Sequence, residues 1–76
     1  MIFTYDEESG PAYLQLIEVD DDSGAVRRTE PISNDINVDY DSSGRIFGIE
    51  FLNASTQLPE SLLTEENIHF HYRKSA

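Results

Sequence analysis

Residues Asp39-Tyr40-Asp41-Ser42-Ser43-Gly44-Arg45-Ile46-Phe47-Gly48-Ile49-Glu50 admit two incompatible readings, and the choice between them decides the fold. Counted from Asp39, the stretch resembles a calcium loop. Asp39, Asp41 and Ser43 are oxygen donors at alternate places, Gly44 sits where such a loop turns sharply, and Glu50 stands at the twelfth place. The flanks argue otherwise. A calcium loop of this kind lies between two helices, whose apolar residues recur at spacings of three and four. Here Ile36, Val38 and Tyr40 alternate with Asn37 and Asp39, and Phe47, Ile49 and Phe51 alternate with Gly48 and Glu50. Two period-two runs around Asp-Ser-Ser-Gly are the pattern of a β-hairpin.

A four-residue loop over Asp41 to Gly44 sets Tyr40 opposite Arg45, Val38 opposite Phe47 and Ile36 opposite Ile49. Opposed residues share a face, so Ile36, Val38, Tyr40, Phe47, Ile49 and Phe51 form one apolar face. Asp35, Asn37, Asp39, Gly48 and Glu50 form the other, which meets water. A slip of one residue would undo this sorting. In this register Asp35 and Glu50 oppose each other, a like-charge contact that a loosely held cation could relieve. Asp39, Asp41 and Glu50 therefore stand as weak metal candidates, and the hairpin is the preferred reading.

Two similar turn signals precede this one. Asp6-Glu7-Glu8-Ser9-Gly10-Pro11 and Asp20-Asp21-Asp22-Ser23-Gly24 each follow a strand-like run. Asp and Ser side chains bond the local backbone at turn starts, and Gly supplies positive φ at the end. Working outward, strands are expected over 2–5, 13–19, more weakly 25–32, then 35–40, 45–52 and 68–73. The strand at 13–19 has apolar residues on both sides, which suits a central position. Pro31 confines the third strand to an edge, and Gly48 inside the fifth marks a bulge or a close approach by another element. Pro59-Glu60-Ser61-Leu62-Leu63 reads as a short helix. The expected fold is α+β and mainly β: a small antiparallel sheet of about five strands built from meander hairpins, with one short C-terminal helix as a lid. The 76 residues make a single domain, 1–76.

Composition narrows the function. There are 15 acidic and 5 basic residues, for a net charge of −10. Such a chain repels nucleic acid and anionic membranes, while a basic protein partner is favoured. The plainer account is that the acidic surface keeps a small domain soluble. No cysteine is present, so neither a disulfide nor a thiolate metal site is available. No apolar run approaches the ~20 residues of a membrane helix, and no signal-peptide pattern is seen. A cytoplasmic location is the expectation, and the sequon Asn53-Ala54-Ser55 is then incidental.

No phosphate loop, nucleotide fingerprint or Ser-His-Asp arrangement is present, and the expectation is a protein that is not an enzyme and uses no cofactor. His69 and His71 would share one side of a strand, as a metal pair could, but spacing fixes no third ligand. They read as polar residues of a wet edge strand beside Arg73 and Lys74.

The residues Tyr5-Asp6-Glu7-Glu8, Ala12-Tyr13-Leu14-Gln15-Leu16, Val38-Asp39-Tyr40-Asp41 and Gly44-Arg45-Ile46-Phe47-Gly48-Ile49-Glu50-Phe51-Leu52-Asn53-Ala54-Ser55 resemble the small bacterial domain-of-unknown-function family 2283. The resemblance covers about 3–63 and leaves 64–76 as an extension. It departs at the first turn, where Gly10-Pro11-Ala12-Tyr13-Leu14 replaces the family's Asp-Ala-Leu-Tyr. It implies a small β-rich cytoplasmic protein with no established activity and no catalytic residues to carry over. Genes of such proteins often neighbour those of small toxins, which implies an antitoxin-like role. The favoured function is an acidic interaction module capping a basic partner through Asp20, Asp21, Asp22, Asp35, Asp39 and Glu50. The alternatives are a metal- or ligand-binding β domain, and a homodimer burying the open face of the sheet.

Overall fold

The computed structural model describes residues 1–19 and 24–64 and, for the last strand, the backbone of 71–75. Its elements are β1 (Ile2–Asp6), β2 (Ala12–Gln15), β3 (Arg28–Pro31), β4 (Ile36–Tyr40), β5 (Ile46–Phe51), a one-turn helix α1 (Ala54–Gln57), a 3-10 turn (Glu60–Leu62) and β6 (His71–Ser75). The expected class holds: one open sheet, mainly β, with five antiparallel strands and a short helical segment. A sixth strand, β6, joins in parallel beside β1. Among the described residues no helix is long and apolar enough to cross a membrane.

Strand order is β3-β4-β5-β2-β1-β6. Two of the three expected hairpins are present, β1–β2 and β4–β5. The middle one is not: β2 pairs with β5, and the chain crosses to the far edge before forming β3. The central position expected for the second strand and the edge position expected for the Pro31 strand are both found.

The turn residues act as their chemistry requires. Asp41 Oδ1 accepts the N–H groups of Ser43 at 3.0 Å and Arg45 at 2.9 Å, and Gly44 takes φ +87°. At the first turn, Asp6 Oδ1 accepts from the N–H groups of Glu8 and Ser9 at 3.1 and 3.3 Å, with Gly10 at φ +106°.

The β4–β5 register differs from expectation by two residues. Val38 faces Ile49 and Ile36 faces Phe51, whereas Val38–Phe47 and Ile36–Ile49 were expected. The Asp41 N–H bonds the Arg45 carbonyl at 2.9 Å, so the loop holds only Ser42, Ser43 and Gly44. That alone would turn every side chain of one strand to the wrong side. A bulge follows, because Tyr40 pairs with Ile46 while Asp39 pairs with Gly48, leaving Phe47 as the extra residue. Two single-residue shifts add to an even number, and the sorting of faces survives.

Phe3, Tyr5, Ala12, Leu14, Ile36, Val38, Ile49 and Phe51 share one face by register. Phe3 is 1% exposed, Ala12 2% and Ala54 0%, and Leu58, Leu62 and Leu63 pack over them from the lid. The expected helix at 59–63 is only the 3-10 turn, and α1 is an additional turn just before it. Asp35 secures this lid. Its carbonyl accepts from the Leu52 N–H at 2.8 Å and Gln57 Nε2 at 3.0 Å, and its carboxylate accepts from Asn53 Nδ2 at 3.1 Å.

Candidate functional site

The opposite face carries Thr4 and Asp6 from β1, Tyr13 and Gln15 from β2, Gly48 and Glu50 from β5, Asn37 and Asp39 from β4, and Thr29 from β3. Three of these side chains form a relay across the sheet. The Tyr13 hydroxyl donates to Asp39 Oδ2 at 2.6 Å, and the Thr29 hydroxyl donates to Asp39 Oδ1 at 2.5 Å. Gly48 makes the first bond possible, because it lies between Tyr13 and Asp39 and has no side chain beneath the phenol. A Cβ there would stand 2.2 Å from the Tyr13 oxygen. Both expectations for Gly48, a nearby bulge and a close approach, are met.

Burial, the hydrogen bond to Asp39 and the charges of Asp39 and Glu50 push the Tyr13 phenol well above its ordinary pKa. Tyr13 therefore stays neutral and donating throughout the physiological range. Next to the relay, Asn37 Nδ2 donates to Glu50 Oε1 at 3.0 Å. Asn37, not Asp35, is the residue opposite Glu50, so the expected like-charge contact is replaced by a hydrogen bond. Thr4, Asp6, Pro11, Ala12, Tyr13 and Glu50 line an open depression of about 220 Å³ beside Tyr13. Within β1 to β5 this face presents three carboxylates, Asp6, Asp39 and Glu50, and no cation.

The sequence candidates separate in three dimensions. Asp39 serves the relay, Glu50 holds Asn37, and Asp41 is folded into its own turn, where Arg45 Nε also reaches Oδ2 at 3.0 Å. Burial pushes the Asp41 carboxyl up, but the hydrogen bonds from Ser43 and Arg45 together outweigh it and hold the pKa at about 2. The hairpin spreads the three acids of the calcium reading over three separate sets of partners. Among the described residues no group of three or more His, Asp or Glu side chains is arranged to hold a metal. Of the acids considered for a partner surface, Asp39 and Glu50 lie on the open face, Asp35 is taken up by the lid, and Asp20, Asp21 and Asp22 lie outside the described residues. His69 also lies outside them. His71 begins β6, at the register position opposite Ile2.

Sequence reasoning did not assemble Tyr13, Thr29 and Asp39. Gly48 was the one visible signal, since a glycine inside an alternating strand asks what passes over it.

Together the sheet, the lid and the relay define a small single-sheet α+β domain with one packed face and one polar, acidic face. The chain belongs to the family described as "Protein of unknown function (DUF2283)", whose model matches residues 2–55. The match ends at the first helical turn, short of the 63 expected, and β6 lies beyond it. No curated protein and no solved structure matches the chain.

Proposed function

We propose that this protein is a non-enzymatic interaction module of the cytoplasm that holds a basic protein partner against the open face of its sheet, in the manner of an antitoxin. The observation that carries this reading is the sorting of charge on that face. Asp6, Asp39 and Glu50 project from three different strands, and within β1 to β5 no cation shares that face, in a chain of net charge −10. Hydrogen bonds from Tyr13, Thr29 and Asn37 fix two of these carboxylates in place. Their positions are thus set before a partner arrives, which reduces the ordering entropy lost on binding. Opposite potentials speed encounter and select partners more than they add affinity.

The test is capture from native cells with the full-length chain at low salt. A small basic protein that is retained and released by raised salt supports the reading. Retention indifferent to salt, or of no basic protein, overturns it. Asp39→Asn with Glu50→Gln keeps the shape of both residues and lowers the association rate about 10-fold at low salt.

A further inference from the structure

The part of the chain matched by the family model forms a five-stranded sheet with two edges, β3 and β1, and the two differ in kind. β3 reads Arg28-Thr29-Glu30-Pro31 and is exposed throughout. Charges and proline are the usual means of keeping foreign strands off a sheet edge. β1 reads Ile2-Phe3-Thr4-Tyr5-Asp6, with no proline and no charge before its last residue. Left bare, such an edge is a template for another strand.

In this structure the edge is taken. β6, outside the family match, runs parallel to β1 with Ile2 opposite His71, Phe3 opposite Tyr72, Thr4 opposite Arg73, Tyr5 opposite Lys74 and Asp6 opposite Ser75. This short strand carries two of the five basic residues of the chain. Arg73 takes the register position beside Thr4, which lines the depression together with Asp6 and Glu50.

We propose that the outer edge of β1 is a strand-docking edge for a basic segment of the partner, and that β6 is its built-in occupant, which the partner's strand displaces. The inference rests on the reading of a basic partner and specifies how that partner is held. Main-chain bonds to β1 supply affinity in such augmentation, and side chains next to the edge supply selectivity. The carboxylates of the neighbouring face select for cations, and β6 shows the arrangement: a parallel strand with a cation at the place opposite Thr4.

Ladder geometry gives a specific readout. The Asp6 N–H donates to the Pro11 carbonyl on the β2 side. Alternation along the strand then directs Ile2, Thr4 and Asp6 toward β2, and Phe3 and Tyr5 toward β6. Amide exchange of full-length protein therefore reports the two edges of β1 separately. In Arg73→Pro, which removes a ladder donor from β6, Phe3 and Tyr5 exchange at least ~10-fold faster while Thr4 and Asp6 keep their protection. A synthetic peptide with the sequence of 68–76, added to that variant, restores protection at Phe3 and Tyr5, and the same peptide carrying R73E and K74E does not. R73E/K74E in the full chain repeats the test where the proline variant fails to fold.

Unchanged protection of Phe3 and Tyr5 in both variants overturns the proposal. So does equal rescue by the two peptides, or rescue by neither. A basic partner captured in a salt-sensitive way that leaves β1 exchange unaltered removes the docking edge and retains the proposed function. Peptide rescue without any basic partner in the cell does the reverse.

Discussion

Replacing Gly48 by alanine adds a single methyl group at the most crowded point of the open face. That Cβ would lie 2.2 Å from the Tyr13 oxygen, 2.4 Å from Cζ and 2.6 Å from Cε2, against an ordinary contact of about 3.5–4.0 Å. The backbone of β5 is held by β4 and β2 on its two sides, so the Tyr13 ring must move, by more than about 1 Å. Its 2.6 Å bond to Asp39 cannot survive that displacement. A hydrogen bond to a charged acceptor contributes about 1.5–3 kcal/mol. Alanine recovers about 0.5–1 kcal/mol over glycine inside a strand. The net loss is about 1–2 kcal/mol, a large share of the ~5 kcal/mol expected at the low end for a small domain. At roughly 4–8 °C per kcal/mol for a chain of this size, Tm falls by about 5–15 °C, measured by circular dichroism on heating. The cause is checked in a Tyr13→Ala background, where Gly48→Ala becomes neutral or stabilising by up to ~1 kcal/mol. A Gly48→Ala protein that melts at or above the parent temperature would refute the placement of Tyr13 over Gly48.

Tyr13→Phe removes the relay bond to the charged Asp39 carboxylate and costs about 1.5–3 kcal/mol at neutral pH. Because the phenol is raised in the folded state, its contribution is present below the unfolded value of about 10 and is lost as pH rises beyond it. Urea midpoints from pH 9 to 11 therefore decline less steeply in Tyr13→Phe than in the parent. Asp41 behaves oppositely: its folded pKa of about 2 lies below the ordinary 3.8, so its contribution is present above about pH 4 and fades as pH falls toward 2. Asp41→Asn lowers the urea midpoint at pH 7 and flattens the acid-side decline, and an unchanged decline would count against the turn network. Phe3→Ala empties the most buried large side chain, 1% exposed, and costs about 3–5 kcal/mol. Equilibrium unfolding should find it largely unfolded at 37 °C.

The legible parts of the fold were those controlled by neighbours along the chain. Alternation around Asp41-Ser42-Ser43-Gly44 identified the hairpin and its faces, and Asp6 and Asp41 both bond their own turns. The register escapes the pattern because a shorter loop and a bulge at Phe47 each shift it by one residue in the same direction, and the two together restore the faces. Either shift alone would have exposed the apolar face, so the pattern constrains their sum and not each one. The one-turn helix at Ala54–Gln57 left little periodic signal, since a single turn is held mainly by contacts outside itself, here with Gly10 and Asp35.

From the sequence alone, the class of the fold, its two-faced strands, its turns, its acidic charge and its family can be read, because these depend on residue type and short-range spacing. The tertiary structure decided that β2 lies between β5 and β1. That order brings Tyr13 over Gly48 to Asp39, gives Asp35 to the lid and leaves the edge of β1 for β6. Several strand orders would bury the same apolar face about equally well. Long-range pairing chooses among them, and the alternation of residues along one strand carries no record of which strand lies beside it.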